Sequence, residues 1–309
     1  MKILVVGAGA TGGYFGGRLA EAGRNVTFLV RPARAAKLEA AGLNITSPFG
    51  DVSLRPKVAT AETLSGPYDV ILMTVKAYTL DAAMKDVAAA VGPDTMILPF
   101  LNGMRHMDVL AERFGPTVPL PCVCKIGSTL DEDGRIVHFN KLSELVYGEA
   151  DGKPSERTIA LDKVMQGAKF DAKLSPSVMQ EMWQKWTMLS TIGAATCLMR
   201  GNIGEIEAAP GGTDFVLALL EEVLTVVRKV GVAPADAFVE TVRKSLTQKG
   251  SSQAPSMYRD LQSSASVEGD QIVGDMVARG RAAGIATPLL AAAHANLSVY
   301  QARRDAQAA

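Results

Sequence analysis

Lys185 is a candidate acid–base group of this 309-residue chain. It lies in Glu181-Met-Trp-Gln-Lys-Trp-Thr-Met-Leu-Ser-Thr-Ile-Gly193, a run with helical spacing. On a helix it would share a face with Met188, Leu189 and Ile192, since residues three, four and seven apart line up. An apolar setting lowers the pKa of an amine, so this lysine could hold and release a proton near neutral pH. The alternative, which periodicity alone favours, is a lysine whose stem crosses apolar neighbours to reach water.

Two further polar positions follow apolar runs that are typical of buried strands. Asp69-Val-Ile-Leu-Met-Thr-Val75 leads into Lys76, and Thr95-Met-Ile-Leu-Pro-Phe-Leu101 leads into Asn102-Gly103. Ligands of open parallel sheets bind beyond the carboxyl ends of the strands. Lys76 could therefore hold a cofactor phosphate or a substrate carboxylate, and Asn102 could bond a carbonyl group or the cofactor. Equally, Lys76 could cap a loop, and Asn102-Gly103 could form a plain turn.

A third group of polar residues lies near the C-terminal end, at Gln253-Ala-Pro-Ser256 and at Glu268. Ser256 stands in a loop ahead of a predicted helix, and Glu268 lies near a later helix start. Loop serines commonly cap helices, and early glutamates commonly oppose the helix dipole. On spacing alone, both residues are therefore interpreted as structural.

The N-terminal segment has the spacing of a dinucleotide-binding motif. Residues 2–6 form an apolar run suited to a buried parallel strand, and a helix is predicted over residues 10–22. Between them, Gly7-Ala8-Gly9-Ala10-Thr11-Gly12 would turn the backbone tightly and bring it close to a pyrophosphate at the positive end of the helix. An ordinary glycine-rich loop is the alternative. Gly13, Gly16 and Gly17 continue on the helix, where small residues permit close packing on a sheet despite their low helix propensity.

Arg31 ends the second predicted strand, residues 25–30, about twenty residues past the glycines. An acidic residue there would accept hydrogen bonds from the ribose hydroxyls of NADH. This chain has Arg31 instead, with Arg34 close behind. Because a guanidinium pairs well with a phosphate, the sequence favours NADPH over NADH. The alternative is a solvated arginine that begins a surface helix.

Charge and composition exclude several classes of partner. The 32 basic and 32 acidic residues balance and are dispersed, which makes nucleic acid and anionic membranes poor partners. No apolar stretch reaches the ~20 residues that span a bilayer, and the first apolar run is used by the nucleotide strand rather than by a secretory signal. We therefore expect a cytoplasmic protein. Cys122, Cys124 and Cys197 lack metal-ligand spacing and indicate small buried hydrophobes, so no metal is expected.

The remaining elements predict how these residues are positioned. Short β-branched runs alternate with helical patterns through about residue 125, which indicates a parallel sheet with helices on both faces. Residues 42–54 are predicted to form a hairpin attached to that sheet. Residues 118–128 and 135–147 are predicted to be extended segments that complete the first domain. Long amphipathic helices follow at 178–198, 213–230, 234–247 and 266–283, with another opening at Pro288. Gly231 and Gly284 are predicted to end two of them.

In combination, these residues resemble the ketopantoate reductase, or 2-dehydropantoate 2-reductase, family over nearly the whole chain. The resemblance is carried by Gly7-x-Gly9-x-x-Gly12, Arg31, Thr74-Val-Lys76-Ala, Asn102-Gly103, Tyr147-Gly148-Glu149, Trp183-Gln-Lys185, Asn202-Ile-Gly204-Glu205, Ser256-Met257 with Asp260, and Glu268-x-Asp270. It implies an α/β Rossmann-type parallel-sheet domain, residues 1–172, and an all-helical C-terminal domain, residues 173–309. It also implies reduction of a small 2-oxo acid to a 2-hydroxy acid by NADPH, in the cleft between the domains.

The resemblance assigns roles to the residues singled out above. Lys185 matches the general acid, Glu268 matches the residue that supports the substrate hydroxyl, and Ser256 matches a substrate contact. Lys76 and Asn102 match residues that line the cofactor and substrate cleft. Hydride transfer would build negative charge on the ketone oxygen, which Lys185 would stabilise and then protonate without a metal.

Three departures from the family pattern bear on the substrate. Ketopantoate reductases proper carry asparagines four and eight residues after the lysine, where this chain has Leu189 and Gly193. Gln253 stands where another asparagine is expected. Fewer matched polar groups favour another, more apolar 2-oxo acid over ketopantoate, which stays an alternative. A second alternative is an NADP(H)-binding sensor of the same fold without turnover, and the sequence leaves both a monomer and a homodimer open.

Overall fold

The computed structural model of the chain describes residues 1–308, which form two compact units. The first comprises residues 1–101 and 106–179, and the second comprises residues 102–105 together with the chain from residue 180 onward. The predicted division between residues 172 and 173 falls within the strand Asp171–Leu174. The segment that begins with Asn102 belongs to the second unit, although the strand Met96–Pro99, which ends shortly before it, belongs to the first.

The strands of the described chain all lie in the first unit. In chain order they are β1 (Lys2–Val6), β2 (Asn25–Leu29), β3 (Leu43–Thr46), β4 (Val52–Leu54), β5 (Lys57–Ala59), β6 (Val70–Met73), β7 (Met96–Pro99), β8 (Cys122–Leu130), β9 (Ile136–Tyr147) and β10 (Asp171–Leu174). Five of them form a parallel sheet in the order β5-β2-β1-β6-β7. β6 and β7 are buried along their whole length, which fits a parallel sheet covered on both faces. The predicted parallel sheet is confirmed.

A second sheet, which the sequence did not indicate, follows the order β10-β9-β3-β4, with β8 also paired to β9. The predicted hairpin of residues 42–54 exists as β3 and β4, but it does not hang on the parallel sheet. Instead β3 pairs with β9 through Ile45–Ile136 and Thr46–Val137. The placement was wrong because a hairpin pattern specifies its own turn but not the distant strand that its outer edge will meet.

The first unit contains α1 (Ala10–Glu21), α2 (Pro32–Ala41), α3 (Leu80–Asp86), α4 (Arg105–Phe114, except its first residue) and α5 (Glu156–Met165). α1 packs between the two sheets, and its glycines mark both contacts. A methyl group at Gly16 would lie 2.8 Å from atoms of Val5 and Phe28 in the parallel sheet. One at Gly17 would lie 2.7 Å from Ile45 in the second sheet, and one at Gly13 would collide with Ile136. The close packing predicted for these glycines is confirmed, against two sheets rather than one.

The second unit is helical. Its helices are α6 (Val178–Met199), α7 (Ile203–Ala208), α8 (Gly212–Val230), α9 (Asp236–Leu246), α10 (Ser256–Gln262), α11 (Asp275–Ala282) and α12 (Pro288–Ala308). The long helices agree with the predicted ones except near residues 266–283. There the chain enters a π-helical turn, Asp270–Gly274, that runs directly into α11. Within residues 1–308, every helix falls short of the length or the apolar character needed to cross a membrane.

The two glycines predicted to end helices do so for different reasons. Gly284 follows α11 with φ 71°, a left-handed conformation in which glycine avoids the steric cost of a Cβ. Gly231 follows α8 with an extended φ of −130°. At Gly231 the requirement is space, because a Cβ would lie 2.6 Å from the ring of Trp183.

Candidate active site

The glycine loop of the first unit is folded around Thr74, the residue after β6. Gly7 has φ +97° and donates its backbone N–H to Leu29 O over 2.9 Å. The Thr74 hydroxyl donates to Val6 O at 2.7 Å and Gly7 O at 3.1 Å. A Cβ at Gly12 would overlap both Thr74 Oγ1 and Gly7 O. Gly7 and Gly12 are therefore required for the turn itself.

Gly9 differs from the other two glycines of the motif. A Cβ built on it meets no atom within 4 Å, so the protein's own packing does not explain its identity. It is the N-cap of α1, whose first residues, Ala10 and Thr11, follow directly, and Ala8 beside it is buried. An open backbone at a helix N-terminus is the arrangement that accepts a pyrophosphate. The loop fits a dinucleotide on this geometry.

Two arginines flank this loop at the end of β2. Arg31 is exposed and is the N-cap residue of α2, with Pro32 as the first helical residue. Arg34 lies one turn further and donates from one guanidinium nitrogen to Ala8 O at 3.0 Å and Gly134 O at 3.2 Å. Burial lowers the pKa of the Arg34 guanidinium, and its Nε is buried without an acceptor among residues 1–308. Of the two arginines, Arg34 thus places its guanidinium against the backbone of the glycine loop.

Lys76 is exposed after β6, where its carbonyl oxygen accepts the Thr79 N–H at 2.9 Å and the Thr79 hydroxyl at 3.0 Å. It begins a short 3₁₀ turn, Ala77–Thr79. The loop-capping alternative considered for Lys76 thus describes its backbone. The side chain of Lys76 is exposed, and its ligand role stays a prediction.

In the second unit, Asn102 and Glu268 lie side by side. The Asn102 amide nitrogen is 3.5 Å from Glu268 Oε2, at the long limit of a hydrogen bond. Glu268 is only 6 % exposed, which is uncommon for a glutamate. Gln271, three residues on, donates its side-chain amide to Asn102 O at 3.2 Å. Glu268 is therefore not the solvated early-turn glutamate that its position in the sequence suggested.

Lys185 lies on α6, and its immediate neighbour on the helix contacts the turn that follows Glu268. Trp186 Nε1 donates to Ile272 O at 2.9 Å, and Ser190 Oγ donates to the same oxygen at 3.0 Å. Ile272 N in turn donates to Glu268 O at 3.0 Å. Lys185 itself is half-buried. These bonds bring the backbones that carry Lys185 and Glu268 close together within the second unit.

One turn beyond Leu189, α6 packs against the start of α10. A Cβ at Gly193 would lie 2.6 Å from Met257 Cε, so the methionine thioether occupies the space above Gly193. Met257 is 2 % exposed, whereas Leu189 is half-buried. Ser256, the first residue of α10, is half-buried, and the N-cap of that helix is Pro255. Ser256 therefore does not cap the helix as the structural interpretation suggested.

The side-chain oxygen of Gln253 is already engaged in a hydrogen bond within the protein. Its Oε1 accepts the hydroxyl of Ser245 on α9 at 2.8 Å, and its backbone carbonyl accepts Ile203 N at 3.1 Å. The amide nitrogen is the remaining polar atom of the side chain. A contact between Gln253 and substrate would have to use that nitrogen.

Other motifs that carried the resemblance have structural roles. Arg157 holds Glu149 through two hydrogen bonds of 2.7 and 2.6 Å, and this partner keeps the pKa of the Glu149 carboxyl below its ordinary value. Asn202 and Glu205 form a reciprocal capping box at the start of α7. Burial, with Asp162 as its hydrogen-bond partner, raises the pKa of Tyr147. These residues stabilise the units that carry the candidate site.

The cysteines of the described chain are buried and unlinked. Burial raises the pKa of Cys197 to about 12, which leaves little thiolate at neutral pH. Between residues 1 and 308, no cluster of three or more histidine, cysteine, aspartate or glutamate side chains is arranged to hold a metal ion.

Three components of this arrangement escaped the sequence analysis: Trp186, Gln271 and the π turn. Trp186 stood beside Lys185 in a quoted motif but was interpreted only as part of it. A π turn has no sequence signature comparable to the glycine motif. The signal for Gln271 in the sequence was its spacing, an amide three residues after Glu268.

Comparison with known proteins supports a single family. The model described as "Ketopantoate reductase PanE/ApbA" matches residues 3–152, and that described as "Ketopantoate reductase PanE/ApbA C terminal" matches residues 177–301. An "Uncharacterized oxidoreductase YkpB" of Bacillus subtilis is 36% identical over 304 residues, covering 98% of this chain and 100% of the relative.

Solved structures show the same fold. A PanE/ApbA family ketopantoate reductase from Ralstonia eutropha aligns with a TM-score of 0.88 at 24% identity, over 99% of this chain and 100% of the other. The ternary structure of a D-mandelate dehydrogenase with NADH and anilino(oxo)acetate aligns with a TM-score of 0.83 at 21% identity, over 99% of both chains. At these identities the structural likeness supports the fold.

Proposed function

Because the chain belongs to the ketopantoate reductase PanE/ApbA family, we propose that it is an oxidoreductase that uses NADPH to reduce a 2-oxo acid to the 2-hydroxy acid. The observation that carries the proposal is the buried carboxylate of Glu268, held beside Asn102 on a turn that is hydrogen-bonded to the lysine-bearing helix. An acid, an amide and an amine gathered in this way can bind and protonate a carbonyl oxygen.

The first unit would bind the cofactor. Gly7-Ala8-Gly9-Ala10-Thr11-Gly12 would hold the pyrophosphate at the N-terminus of α1, where the open backbone at Gly9 supports the fit. Arg31 would pair with the 2′-phosphate that distinguishes NADPH from NADH, and Lys76 and Asn102 would contact the bound cofactor. NADPH, when bound, supplies the hydride.

Lys185 would act on the carbonyl oxygen of the substrate. As the carbon accepts hydride, negative charge grows on the oxygen, and the ammonium group would stabilise that charge and then donate its proton. Proton transfer from a positioned side chain typically contributes about 10²–10⁴-fold. Glu268 would accept a hydrogen bond from the new hydroxyl group, and Asn102 and Ser256 would orient the substrate. Gln253 would contact the substrate through its amide nitrogen.

The substrate would carry an apolar group at the carbon beyond the ketone. Leu189 offers a hydrocarbon surface one turn from Lys185, and Met257 fills the space above Gly193. A substrate hydroxyl buried there would lose its bonds to water without gaining partners, at a cost of about 1–3 kcal/mol. The D-mandelate dehydrogenase complex, in which the bound oxo acid bears an anilino group, is consistent with this class of ligand on the same fold.

The test is a spectrophotometric assay of the purified protein with NADPH and a panel of 2-oxo acids that includes ketopantoate and branched and aromatic members. The proposal predicts loss of NADPH absorbance, with kcat/KM highest for apolar members. NADPH binding without oxidation across the panel would contradict it and support the nucleotide-binding sensor, which Leu189 and Gly193 keep as a second candidate. NADH in place of NADPH is predicted to give lower kcat/KM.

A further inference from the structure

The π turn of the second unit, Asp270–Gly274, contacts the helix that carries Lys185 and the backbones of Asn102 and Glu268. π-helical geometry is rare in proteins and occurs often at functional sites. Three of its five residues, Gln271, Ile272 and Val273, are buried. The hydrogen bonds of this turn show which segments it contacts.

The first contact is with α6. Ile272 O accepts two side-chain hydrogen bonds, from Trp186 Nε1 at 2.9 Å and from Ser190 Oγ at 3.0 Å. Both donors are buried, with Trp186 1 % and Ser190 0 % exposed, so water cannot replace the carbonyl. Since the donors are four residues apart, they lie one turn apart on the same face of α6. One acceptor for two such donors restricts both rotation of the helix and movement along its axis.

The second contact is with Asn102 and Glu268. Gln271 donates its side-chain amide to Asn102 O at 3.2 Å, while its own carbonyl would lie 2.7 Å from a Cβ on Gly103. Gly103 has φ +84°, so both the conformation and the space there require glycine. Ile272 N donates to Glu268 O at 3.0 Å. The turn therefore holds the backbone of both residues.

From these contacts we infer that the π turn is the positioning element of the site, and that Trp186, Ser190 and Gln271 are positioning residues. They would act through Lys185 and Asn102, not through contact with substrate or cofactor. Trp186 and Ser190 fix the rotation of α6 about its axis, and thereby the direction in which Lys185 points. Gln271 fixes the position of Asn102 relative to Glu268. The inference rests on the proposed function, because it concerns where the proton donor of that reaction is held.

The geometry explains why a small loosening of this contact matters. At 100° per residue, the face of α6 bonded to Ile272 O lies roughly 100–140° around the helix from Lys185. A rotation of about 10° moves a side-chain tip by roughly 1 Å, given a helix about 10–12 Å across. A misplacement of about 1 Å can cost ~10²-fold in rate.

The test compares two buried hydroxyls on α6. Ser190→Ala removes a bond that leaves the helix for Ile272 O, whereas Thr196→Val removes one that stays within it, from Thr196 Oγ1 to Ile192 O at 2.7 Å. Both residues are 0 % exposed. We expect Ser190→Ala to lower kcat about tenfold or more and to shift the pH profile of kcat, with the Kd of NADPH unchanged. Thr196→Val should leave kcat and its pH profile unchanged, whatever its effect on Tm.

Two further variants keep the test independent of a folding defect. Ser190→Thr retains the hydroxyl and should restore kcat and the pH profile, and Trp186→Phe should reproduce the effect of Ser190→Ala by removing the second donor. Equal losses of Tm in Ser190→Ala and Thr196→Val, with kcat and the pH profile of both unchanged, would overturn the inference. So would failure of Ser190→Thr to restore turnover in a fully folded protein.

A measurement without turnover separates this inference from the proposed function. In ¹³C-lysine-labelled protein, the NMR titration of Lys185, assigned through Lys185→Arg, should shift in Ser190→Ala and not in Thr196→Val. If no 2-oxo acid is reduced, the proposed function fails, and this titration still decides whether the π turn controls the surroundings of Lys185. An identical titration in both variants and the wild type would overturn the positioning role.

Discussion

The side-chain amide of Asn102 lies 3.5 Å from Glu268 Oε2, although 166 residues separate the two in the chain. Asn102 follows the edge strand of the parallel sheet, yet it belongs to the helical unit together with Glu268. The segment after β7 thus places the Asn102 amide beside the buried carboxylate of Glu268. On sequence alone, Asn102 could have been part of a turn and Glu268 a residue that opposes a helix dipole. The structure brings the two side chains together as one polar site.

The three glycines of the nucleotide loop should respond differently to alanine. Gly9→Ala adds a methyl group in open space, so we expect an unchanged Tm and a Kd for NADPH raised about tenfold or more, because the methyl would occupy the pyrophosphate position. Gly12→Ala forces a methyl group onto Thr74 Oγ1 and Gly7 O and should lower Tm. Calorimetry and isothermal titration measure both effects. Equal NADPH affinity in Gly9→Ala and wild type would remove Gly9 from the cofactor site.

Arg31 should determine the preference for the 2′-phosphate. We expect Arg31→Ala to weaken binding of 2′,5′-ADP by about 1.5–3 kcal/mol, the range for hydrogen bonds to charged groups, and to leave binding of 5′-AMP unchanged. Lys37→Ala, an exposed cation on the same helix, is the matched control and should change neither. An unchanged ratio of the two affinities in Arg31→Ala would show that the specificity lies elsewhere.

The apolar surface of α6 should set the substrate range. Met257→Ala removes the thioether that covers Gly193, and we expect it to raise kcat/KM for long apolar 2-oxo acids relative to short ones by about 10-fold or more. Leu189→Asn should raise kcat/KM for ketopantoate relative to apolar substrates. The substitution places an amide on the same face of α6 as Lys185, where ketopantoate reductases carry an asparagine. Competition assays with paired substrates measure these ratios directly. Ratios that match the wild type in both variants would exclude this face from substrate recognition.

The Glu149–Arg157 ion pair should contribute to stability in a pH-dependent way. The hydrogen bonds from Arg157, with that from Ser155, lower the pKa of the Glu149 carboxyl. A depressed pKa stabilises the folded state above the ordinary carboxyl value, near 4.3, and this contribution is lost as pH falls through the folded-state pKa. Glu149→Gln should therefore lower the free energy of unfolding at pH 7 by about 1–3 kcal/mol.

The same comparison at lower pH tests the sign of this effect. The difference between Glu149→Gln and wild type should narrow as pH falls below about 4.3. Glu132→Gln, at an exposed glutamate of the first unit, serves as the control in the same urea titrations. A difference that stays constant from pH 7 to about pH 3 would contradict an ionic origin of the stabilisation.

The parallel sheet and the helical unit could be predicted because their signals are local. The glycine motif, the apolar runs and the capping glycine at Gly284 each act over a few residues, and the structure confirms the elements that they indicated. The second sheet could not be predicted in this way. Its central pairing joins Ile45 to Ile136, and the alternating pattern of a strand does not specify a partner so distant in sequence.

The candidate site was predictable in its residue types but not in its arrangement. The chemistry of Lys185, Asn102 and Glu268 is visible in their side chains, whereas the carbonyl of Ile272 has no side-chain signature at all. Met257 illustrates the same limit. The loss of an asparagine at Gly193 was visible in the sequence, but the side chain that fills its space comes from a helix more than sixty residues away.

Lys185 tests the central claim most directly. With the preferred 2-oxo acid, Lys185→Met should lower kcat by about 10²–10⁴-fold in single-turnover assays, because the proton donor is gone while the hydrophobic stem remains. The Kd of NADPH should stay at the wild-type value, and Lys229→Met, at an exposed lysine of α8, should keep full activity. Full turnover by Lys185→Met would contradict the assignment of Lys185 as the proton donor.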